Sequence, residues 1–156
     1  MKKIWAIALL LNILGCGTDQ GGEKKYDYTI INNSGARVEL VPFINGVNRI
    51  DRKITLENGA QFNKKHTDYP IYNNPLNFIL IFTEFSTLGG SDQIEITFNN
   101  TKKIIYNDNC VYENGVSLNC SANNIFLTRF NDERTEVYTI TPEDFQNAED
   151  CGGNCN

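Results

Sequence analysis

The chain contains one histidine, and this residue is the first candidate for acid–base chemistry near neutral pH. His66 has Asp68 close by in the sequence, which is one element of a Ser-His-Asp arrangement. However, the chain has no G-x-S-x-G motif, and Lys64 and Lys65 precede the histidine in a polar stretch. General acid–base catalysis needs a hydrogen-bond partner within about 2.6–3.2 Å, and the residue spacing around His66 predicts no such partner. We predict that His66 is an exposed loop residue and that the chain is not an enzyme.

Four cysteines in the second half of the chain are candidates for disulfides or for a metal site: Cys110, Cys120, Cys151 and Cys155. In an exported chain an even number of cysteines is typical of disulfides. Three connectivities are possible, and the spacing favours 110–120 with 151–155. Zinc is the alternative, but the C-x₃-C spacing at the end of the chain would supply only part of a ligand set. We therefore predict two disulfides and no metal or cofactor.

Carboxylates occur in two adjacent pairs, Asp132-Glu133 and Glu143-Asp144, which raises the question of glycoside hydrolysis. Adjacent residues on a strand point to opposite faces, and acids in the first turn of a helix are already explained by the helix dipole. The sequence also has no calcium loop of the EF-hand type, no phosphate-binding loop and no dinucleotide fingerprint. No catalytic residue is therefore predicted.

The start of the chain has the pattern of an export signal. Lys2 and Lys3 precede an apolar run over residues 4–14, which is too short to cross a bilayer core of about 30 Å. An ordinary signal peptidase site needs small residues in an A-x-A pattern, and Ile13 breaks that pattern. The junction Ile13-Leu14-Gly15-Cys16 instead resembles the lipobox of bacterial lipoproteins.

The lipobox resemblance implies that Cys16 is the lipidation site and becomes the first residue of the mature protein. Stable anchoring needs two or more acyl chains, because each buried CH₂ contributes only about 0.8 kcal/mol. Residues 1–15 are then the signal peptide, residues 16–25 the lipidated cysteine with a flexible Gly-rich tether, and residues 26–156 the domain. Gly17 is not the Asp that retains lipoproteins in the inner membrane. The resemblance therefore implies the outer membrane, on its periplasmic face or at the cell surface.

The composition argues for one acidic, globular domain. Without Lys2 and Lys3, 12 basic residues face 19 acidic ones, a net charge of −7, which disfavours nucleic acid as a partner. Apolar residues make up 40% of the chain and aromatic residues 11%, which argues against disorder. The 22 asparagines have no fixed period, so we assign them to turns rather than to a ligand-binding surface.

Several short segments alternate apolar with polar residues, which is typical of half-buried strands. The clearest are residues 26–30, 38–43, 50–56, 94–98, 102–106 and 136–140. Residues 78–82 are apolar on both faces and are predicted to form a central strand. Turn residues such as Asn45-Gly46 and Asn114-Gly115 separate the segments and are typical of two-residue hairpin loops. Residues 63–77 are predicted to be irregular.

The last strand is followed by Thr141-Pro142-Glu143-Asp144, which offers a capping residue, a proline at the first helical position and acids in the first turn. A short helix with Phe145 as its apolar contact is therefore predicted. Eight or nine short strands with one late helix indicate an all-β fold. We predict a single antiparallel β-sandwich with one short C-terminal helix, and a partly open barrel is the alternative.

The chain as a whole resembles small cell-envelope lipoproteins of Bacteroidota-type bacteria that have one immunoglobulin-like domain. The resemblance rests on the lipobox 13–16, the strand that leads into residues 32–35, the hairpin 92–106 and the helix 141–145. It implies a lipid anchor in the membrane but supplies no activity. We predict a non-enzymatic envelope protein that binds or scaffolds an unknown protein or glycan partner. The alternatives are an inhibitor or immunity-type lipoprotein that neutralises a secreted toxin or hydrolase, and a small envelope hydrolase.

Overall fold

The structure is a computed structural model, and it describes residues 23–68, 91–108, 111–113, 116–118 and 120–155. The strands in these ranges are β1 (Lys24–Asn32), β2 (Val38–Ile44), β3 (Val47–Asn48), β4 (Ile54–Leu56), β5 (Gln61–Asp68), β6 (Ser91–Phe98), β7 (Lys102–Asn107), β8 (Val111–Glu113), β9 (Val116–Leu118), β10 (Thr135–Ile140) and β11 (Glu149–Asp150). The helix α1 (Pro142–Asn147) lies between β10 and β11. Two 3₁₀ turns occupy Ile50–Arg52 and Thr128–Phe130.

The strands assemble into two larger sheets and one separate hairpin. One sheet has the order β10-β1-β5, and the other has the order β11-β7-β6-β2-β3 with β4 also paired to β2. The hairpin consists of β8 and β9. Among the described pairs only β1 and β10 are parallel, from Asp27↔Thr135 to Asn32↔Ile140. The predicted all-β sandwich is confirmed, and the parallel pairing of β1 with β10 adds to it.

The core lies between the two larger sheets, because each sheet turns one apolar face towards the other. The largest fully buried side chains come from both sheets: Tyr28, Ile30, Tyr138 and Ile140 from one, and Val38, Leu40, Ile96 and Phe98 from the other. Burying one such side chain contributes about 1.5–3 kcal/mol. Along β1, buried positions alternate with half-buried ones from Tyr26 to Asn32, and this alternation fixes which face of the strand points inward.

The hairpin turns follow the asparagine and glycine signals of the sequence. Asn45 and Gly46 have φ values of 53° and 72°, which the two-residue turn between β2 and β3 requires. Asn99 and Asn100, with φ values of 49° and 56°, turn the chain from β6 into β7. The predicted turn at Asn45-Gly46 is therefore confirmed.

The predicted hairpin around residues 114–115 is confirmed in its strands. β8 and β9 pair from Val111↔Leu118 to Glu113↔Val116, which leaves two residues for the connecting loop. The loop residues themselves lie outside the described part of the chain. The predicted central strand at residues 78–82 also lies outside it.

The predicted irregular segment at residues 63–77 is wrong in its first part. Residues 63–68 belong to β5, which pairs with β1 from Ile31↔Gln61 to Lys24↔Asp68. The backbone groups make the hydrogen bonds of a strand ladder, so a run of polar side chains does not prevent the pairing. Residues 69–77 lie outside the described residues.

The predicted single strand over residues 50–56 is also wrong in its first part, because the chain makes a 3₁₀ turn at Ile50–Arg52, and it is confirmed at its end, where β4 begins at Ile54. Arg49 donates two hydrogen bonds to the carboxylate of Asp51, at 2.9 and 2.7 Å, across this turn. The side-chain pair therefore favours a local turn over a continued strand.

The predicted short helix is confirmed as α1. Thr141 is its capping residue, and the side chain of Asp144 reaches back to the Thr141 backbone N–H, so the two residues form a capping box. Phe145 packs against Phe98, with 5.5 Å between ring centroids. None of the helices among the described residues has the length and apolarity that a membrane crossing requires.

Candidate functional site

A cavity of about 500 Å³ opens beside α1, and we call it the helix cavity. Its walls come from β7, from the loop that precedes β10 and from α1. The lining residues are Ile104, Ser121, Ala122, Asn123, Arg129, Thr141, Glu143, Asp144 and Asn147. Most of these residues are polar, so the cavity offers hydrogen-bonding groups and charges to a ligand.

Asp144 is the buried polar centre of this wall, with 2% of its surface exposed. Its Oδ1 accepts a hydrogen bond from the Tyr106 hydroxyl at 2.7 Å. Its Oδ2 accepts bonds from the Asn123 amide at 2.6 Å and from the backbone N–H and hydroxyl of Thr141 at 2.7 and 2.9 Å. All of these donors are neutral. Four hydrogen bonds, and not an ion pair, therefore satisfy this buried carboxylate.

Two buried tyrosines extend the Asp144 network into the core. Burial raises the pKa of Tyr106 above its usual value, and the hydrogen bond to Asp144 adds to the rise. Burial likewise raises the pKa of Tyr138, whose hydroxyl donates to the carbonyl oxygen of Asn123 at 2.9 Å. Both phenols therefore stay protonated at neutral pH and serve as hydrogen-bond donors.

Side-chain amides of asparagine stabilise the loop that precedes β10, which forms the wall of the helix cavity opposite α1. The Asn123 amide donates to the carbonyl oxygen of Thr139 at 3.0 Å. The Asn131 amide bridges the carbonyl oxygens of Ile125 and Leu127, both at 2.9 Å. These side chains satisfy backbone groups that lie outside any strand ladder, so they build the wall of the cavity.

Arg129 and Glu143 are the charged side chains that face the helix cavity beside the satisfied Asp144. The Arg129 guanidinium lies over the ring of Phe130, 4.5 Å from its centroid, and donates to the carbonyl oxygen of Ala122. Glu143 is exposed in the first turn of α1. Neither side chain forms an ion pair with a residue that the structure describes. Among the lining residues that the structure describes, Arg129 and Glu143 are therefore a cation and an anion available to a ligand.

A second cavity of about 470 Å³ lies on the outer face of the larger sheet, and we call it the outer groove. Its lining residues are Val41, Asn48, Ile50, Lys53, Glu95, Lys103 and Cys155. Glu95 is 8% exposed, and its carboxylate lies 3.3 Å from the Lys103 amine. The Lys53 amine lies 2.9 Å from the carboxylate of Glu39. Each of the charged side chains that line this groove thus has an ion-pair partner.

The predicted Cys151–Cys155 disulfide is confirmed, and its small ring borders the outer groove. The Asn100 amide donates to the carbonyl oxygen of Gly153 at 3.1 Å, and the Cys155 backbone N–H donates to the Asn100 side-chain oxygen at 3.3 Å. These bonds tie the ring to the turn between β6 and β7. Because the ring is tied down, Cys155 is buried although it lies near the end of the chain.

Cys120 also takes part in a disulfide. Its predicted partner, Cys110, lies outside the described residues, so the 110–120 pairing stays a prediction. The part of the chain that the structure describes contains no group of three or more histidine, cysteine or acidic residues placed to hold a metal ion. Cys16 also lies outside the described residues, and its lipidation stays a prediction.

His66 lies in β5 and not in an exposed loop, so its predicted location is wrong. Strand alternation separates it from its basic neighbour Lys65, whose amine lies 3.4 Å from the Asp27 carboxylate on the outward face. His66 is half-buried on the other face, with its ring centroid 6.5 Å from that of Tyr26. The absence of a catalytic role for His66 stays a prediction.

The structure gives the two carboxylate pairs of the sequence different environments. The backbone N–H groups of Asp132 and Glu133 donate to the Glu136 carboxylate at 3.1 and 2.7 Å. Glu136 is buried, and this burial raises its pKa. In the second pair, Glu143 is exposed while Asp144 is buried. Glu143 therefore lies at the surface of the helix cavity, and Asp144 lies in its wall.

The helix cavity brings together residues that the sequence analysis did not select. The spacing Thr141-x-x-Asp144 is a capping-box signal, and it indicates that the carboxylate reaches the Thr141 N–H. The contacts of Asp144 with Tyr106 and Asn123 span 38 and 21 residues. No local pattern predicts contacts of that range.

Comparisons of the chain with protein families, with curated proteins and with solved structures find no match. The resemblance to envelope lipoproteins and the immunoglobulin-like assignment therefore stay predictions.

Proposed function

We propose that the chain is a lipid-anchored, non-enzymatic protein of the bacterial cell envelope that binds a polar ligand in the helix cavity. The anchor rests on the sequence Ile13-Leu14-Gly15-Cys16. The binding role rests on one observation, the helix cavity of about 500 Å³ with its polar lining and its available charges. This volume falls within the range of about 300–1,000 Å³ that is usual for small-molecule sites.

The wall around Asp144 supports binding rather than catalysis. Asp144 accepts four hydrogen bonds, and its hydroxyl donors Tyr106 and Thr141 are committed to it. Such a network fixes the shape of the site before a ligand arrives, which lowers the entropic cost of binding.

A binding experiment with paired variants tests this proposal. Full-length protein in detergent is exposed to fractionated envelope components, and binding is followed by calorimetry. The Arg129→Gln/Glu143→Gln variant should lose the ligand, and Lys53→Gln in the outer groove should keep it. Equal loss of binding in both variants would show that the ligand does not bind in the helix cavity. Turnover of the ligand would show that the protein is an enzyme.

The anchor is tested separately with Cys16→Ser. This change should abolish incorporation of labelled palmitate and should leave uncleaved precursor or soluble protein. Incorporation of the label at wild-type level would rule out the lipid anchor on Cys16.

The inhibitor or immunity-type role is a second candidate, and exposed apolar residues favour it. Val47 and Ile50 are 60% and 55% exposed beside the Asn45-Gly46 turn. A protruding apolar tip is typical of a protein contact. In co-culture with a toxin-secreting competitor, Val47→Asp should then remove protection by the chain, whereas Arg129→Gln should not.

A further inference from the structure

We propose that the helix cavity recognises a small zwitterion, a molecule that carries a carboxylate and an ammonium group as amino acids and short peptides do. Arg129 receives the carboxylate and Glu143 receives the ammonium group. This inference rests on the proposed binding function and deepens it, because it names the chemical class of the ligand.

Arg129 is prepared for a carboxylate. Its guanidinium is always charged, and its planar fork of donors matches the two oxygens of a carboxylate. The contact with the Phe130 ring and the hydrogen bond to the Ala122 carbonyl hold the group at the cavity without neutralising it. Only part of its donor set is used by that hydrogen bond. The remaining N–H groups are left for a ligand.

Glu143 supplies the opposite charge on the α1 side of the same cavity. It follows Pro142 in the first turn, and its neighbour Asp144 is turned into the network of the wall. Asn147 lies four residues after Glu143, so both side chains lie on one side of α1 and line the cavity together. A carboxylate beside a primary amide can receive an ammonium group that has several N–H donors.

The two charges favour a ligand that carries both signs. Arg129 and Glu143 do not pair with each other, although both line one cavity. A ligand with a single charge would use only one of the two groups, and a neutral sugar would use neither charge. The described lining also contains no aromatic ring on which a sugar could stack.

The outer groove offers a contrast within the same molecule. Its lysines are held by Glu95 and Glu39. A charged ligand there would have to break existing ion pairs before it made new ones. The same zwitterion is therefore expected in the helix cavity and not in the outer groove.

Calorimetry with a matched set of probes tests the inference on the full-length protein in detergent. The probes are glycine and glycylglycine, the glycine methyl ester without the carboxylate charge, N-acetylglycine without the ammonium group, and glucose. At least one zwitterion should bind about tenfold or more tightly than either single-charge analogue and glucose, because each lost charge removes a charge-assisted hydrogen bond.

The variants assign each charge to a residue. Arg129→Gln should weaken zwitterion binding about tenfold or more and leave binding of the methyl ester unchanged, because the ester has no carboxylate charge. Glu143→Gln should also weaken zwitterion binding about tenfold or more, and it should leave binding of N-acetylglycine unchanged, because this probe has no ammonium group. Arg134→Gln, an exposed arginine of the same loop that does not line the cavity, is the control and should bind as wild type.

Two outcomes would overturn the inference: no binding of either zwitterion at millimolar concentration, or equal binding of glucose and the zwitterions. If another envelope component bound in an Arg129-dependent manner while both zwitterions failed, the proposed binding function would stand and only the ligand class would be wrong.

Discussion

The helix cavity and the outer groove have similar volumes, about 500 and 470 Å³, and each has a buried carboxylate in its wall. They differ in how that carboxylate is satisfied. Asp144 in the helix cavity accepts hydrogen bonds from neutral donors only. Glu95 in the outer groove lies beside a lysine amine. The protein thus uses two solutions for one problem, a charge that has been removed from water.

The two solutions leave different residues available for function. In the outer groove Lys103 is paired with Glu95 and Lys53 with Glu39, so both lysines already have an anionic partner within the protein. The neutral donors around Asp144 leave Arg129 uncommitted, and Glu143 is likewise without an ion-pair partner among the described residues. Because hydrogen bonds and not an ion pair satisfy the buried carboxylate, the charges of Arg129 and Glu143 remain available to a ligand. The comparison also ranks the changes that should damage the molecule.

Asp144→Ala should have the largest effect on stability. It leaves the Tyr106 hydroxyl, the Asn123 amide and two Thr141 donors without their acceptor, and we expect the free energy of unfolding to fall by about 3 kcal/mol or more. The matched control is Glu143→Ala on the same helix, which should change it by less than about 0.5 kcal/mol. Urea unfolding measures both. Similar values for the two variants would mean that the network does not hold this end of the sandwich.

Removal of the Cys151–Cys155 disulfide should have the next largest effect. Closing a loop of this length stabilises a chain by about 2 kcal/mol in the chain-entropy account. Changing both cysteines to serine avoids a free thiol, and the loss should be accompanied by faster amide exchange at Asn154 and Cys155, whose N–H groups are hydrogen-bonded. Ligand binding in the helix cavity should stay at the wild-type value. A loss of that binding would show that the two cavities are not independent.

Lys103→Met should cost about 1 kcal/mol, because it leaves the buried Glu95 carboxylate without its partner. The lysine side chain is 33% exposed, and solvent screens the pair, so the cost should fall below that of a fully buried pair. The double variant Lys103→Met/Glu95→Gln should recover most of the loss, since it removes the charge that needed a partner. If the double variant is as unstable as the single one, packing rather than charge explains the effect.

The strands and turns of the sandwich could be predicted because their signals are local. Alternation along residues 26–30 reports which side of the strand is buried, and Asn45-Gly46 reports a turn by its tolerance of positive φ. The end of α1 nearest β10 was also predictable, since a capping box spans only four residues. Each of these signals is complete within one element.

The helix cavity could not be predicted in the same way, since its contacts join distant segments. Asn32, at the end of β1, shows elsewhere in the fold why local sequence patterns do not predict such contacts. Its sequence neighbours suggest an exposed turn, yet it is fully buried, and its amide donates to the carbonyl oxygens of Ala36 and Leu56 at 2.7 and 3.0 Å. The parallel pairing of β1 with β10 likewise depends on register between opposite ends of the domain. Polarity alone does not separate a solvated asparagine from a buried one.

The buried phenols are expected to have the smallest effect on stability at neutral pH. Their effect on the free energy of unfolding appears only when the solution becomes alkaline. Burial raises the pKa of Tyr28 from 10.0 to about 12, and burial also raises the pKa of Tyr106 and Tyr138 at the helix cavity. Above pH 10 the unfolded chain releases these protons before the folded protein does. The folded state then holds more protons, so the free energy of unfolding falls as pH rises.

This contribution to stability is complete below about pH 10 and should be lost as pH rises through the raised pKa of each phenol. Ultraviolet absorbance of tyrosinate should therefore show phenols that titrate above the usual tyrosine pKa of about 10 and whose titration accompanies unfolding. Lys103→Met is the control, because it removes the Lys103–Glu95 pair and leaves the phenols in place. If the alkaline loss disappears in Lys103→Met, it belongs to the outer groove; if it persists, it belongs to the tyrosine network.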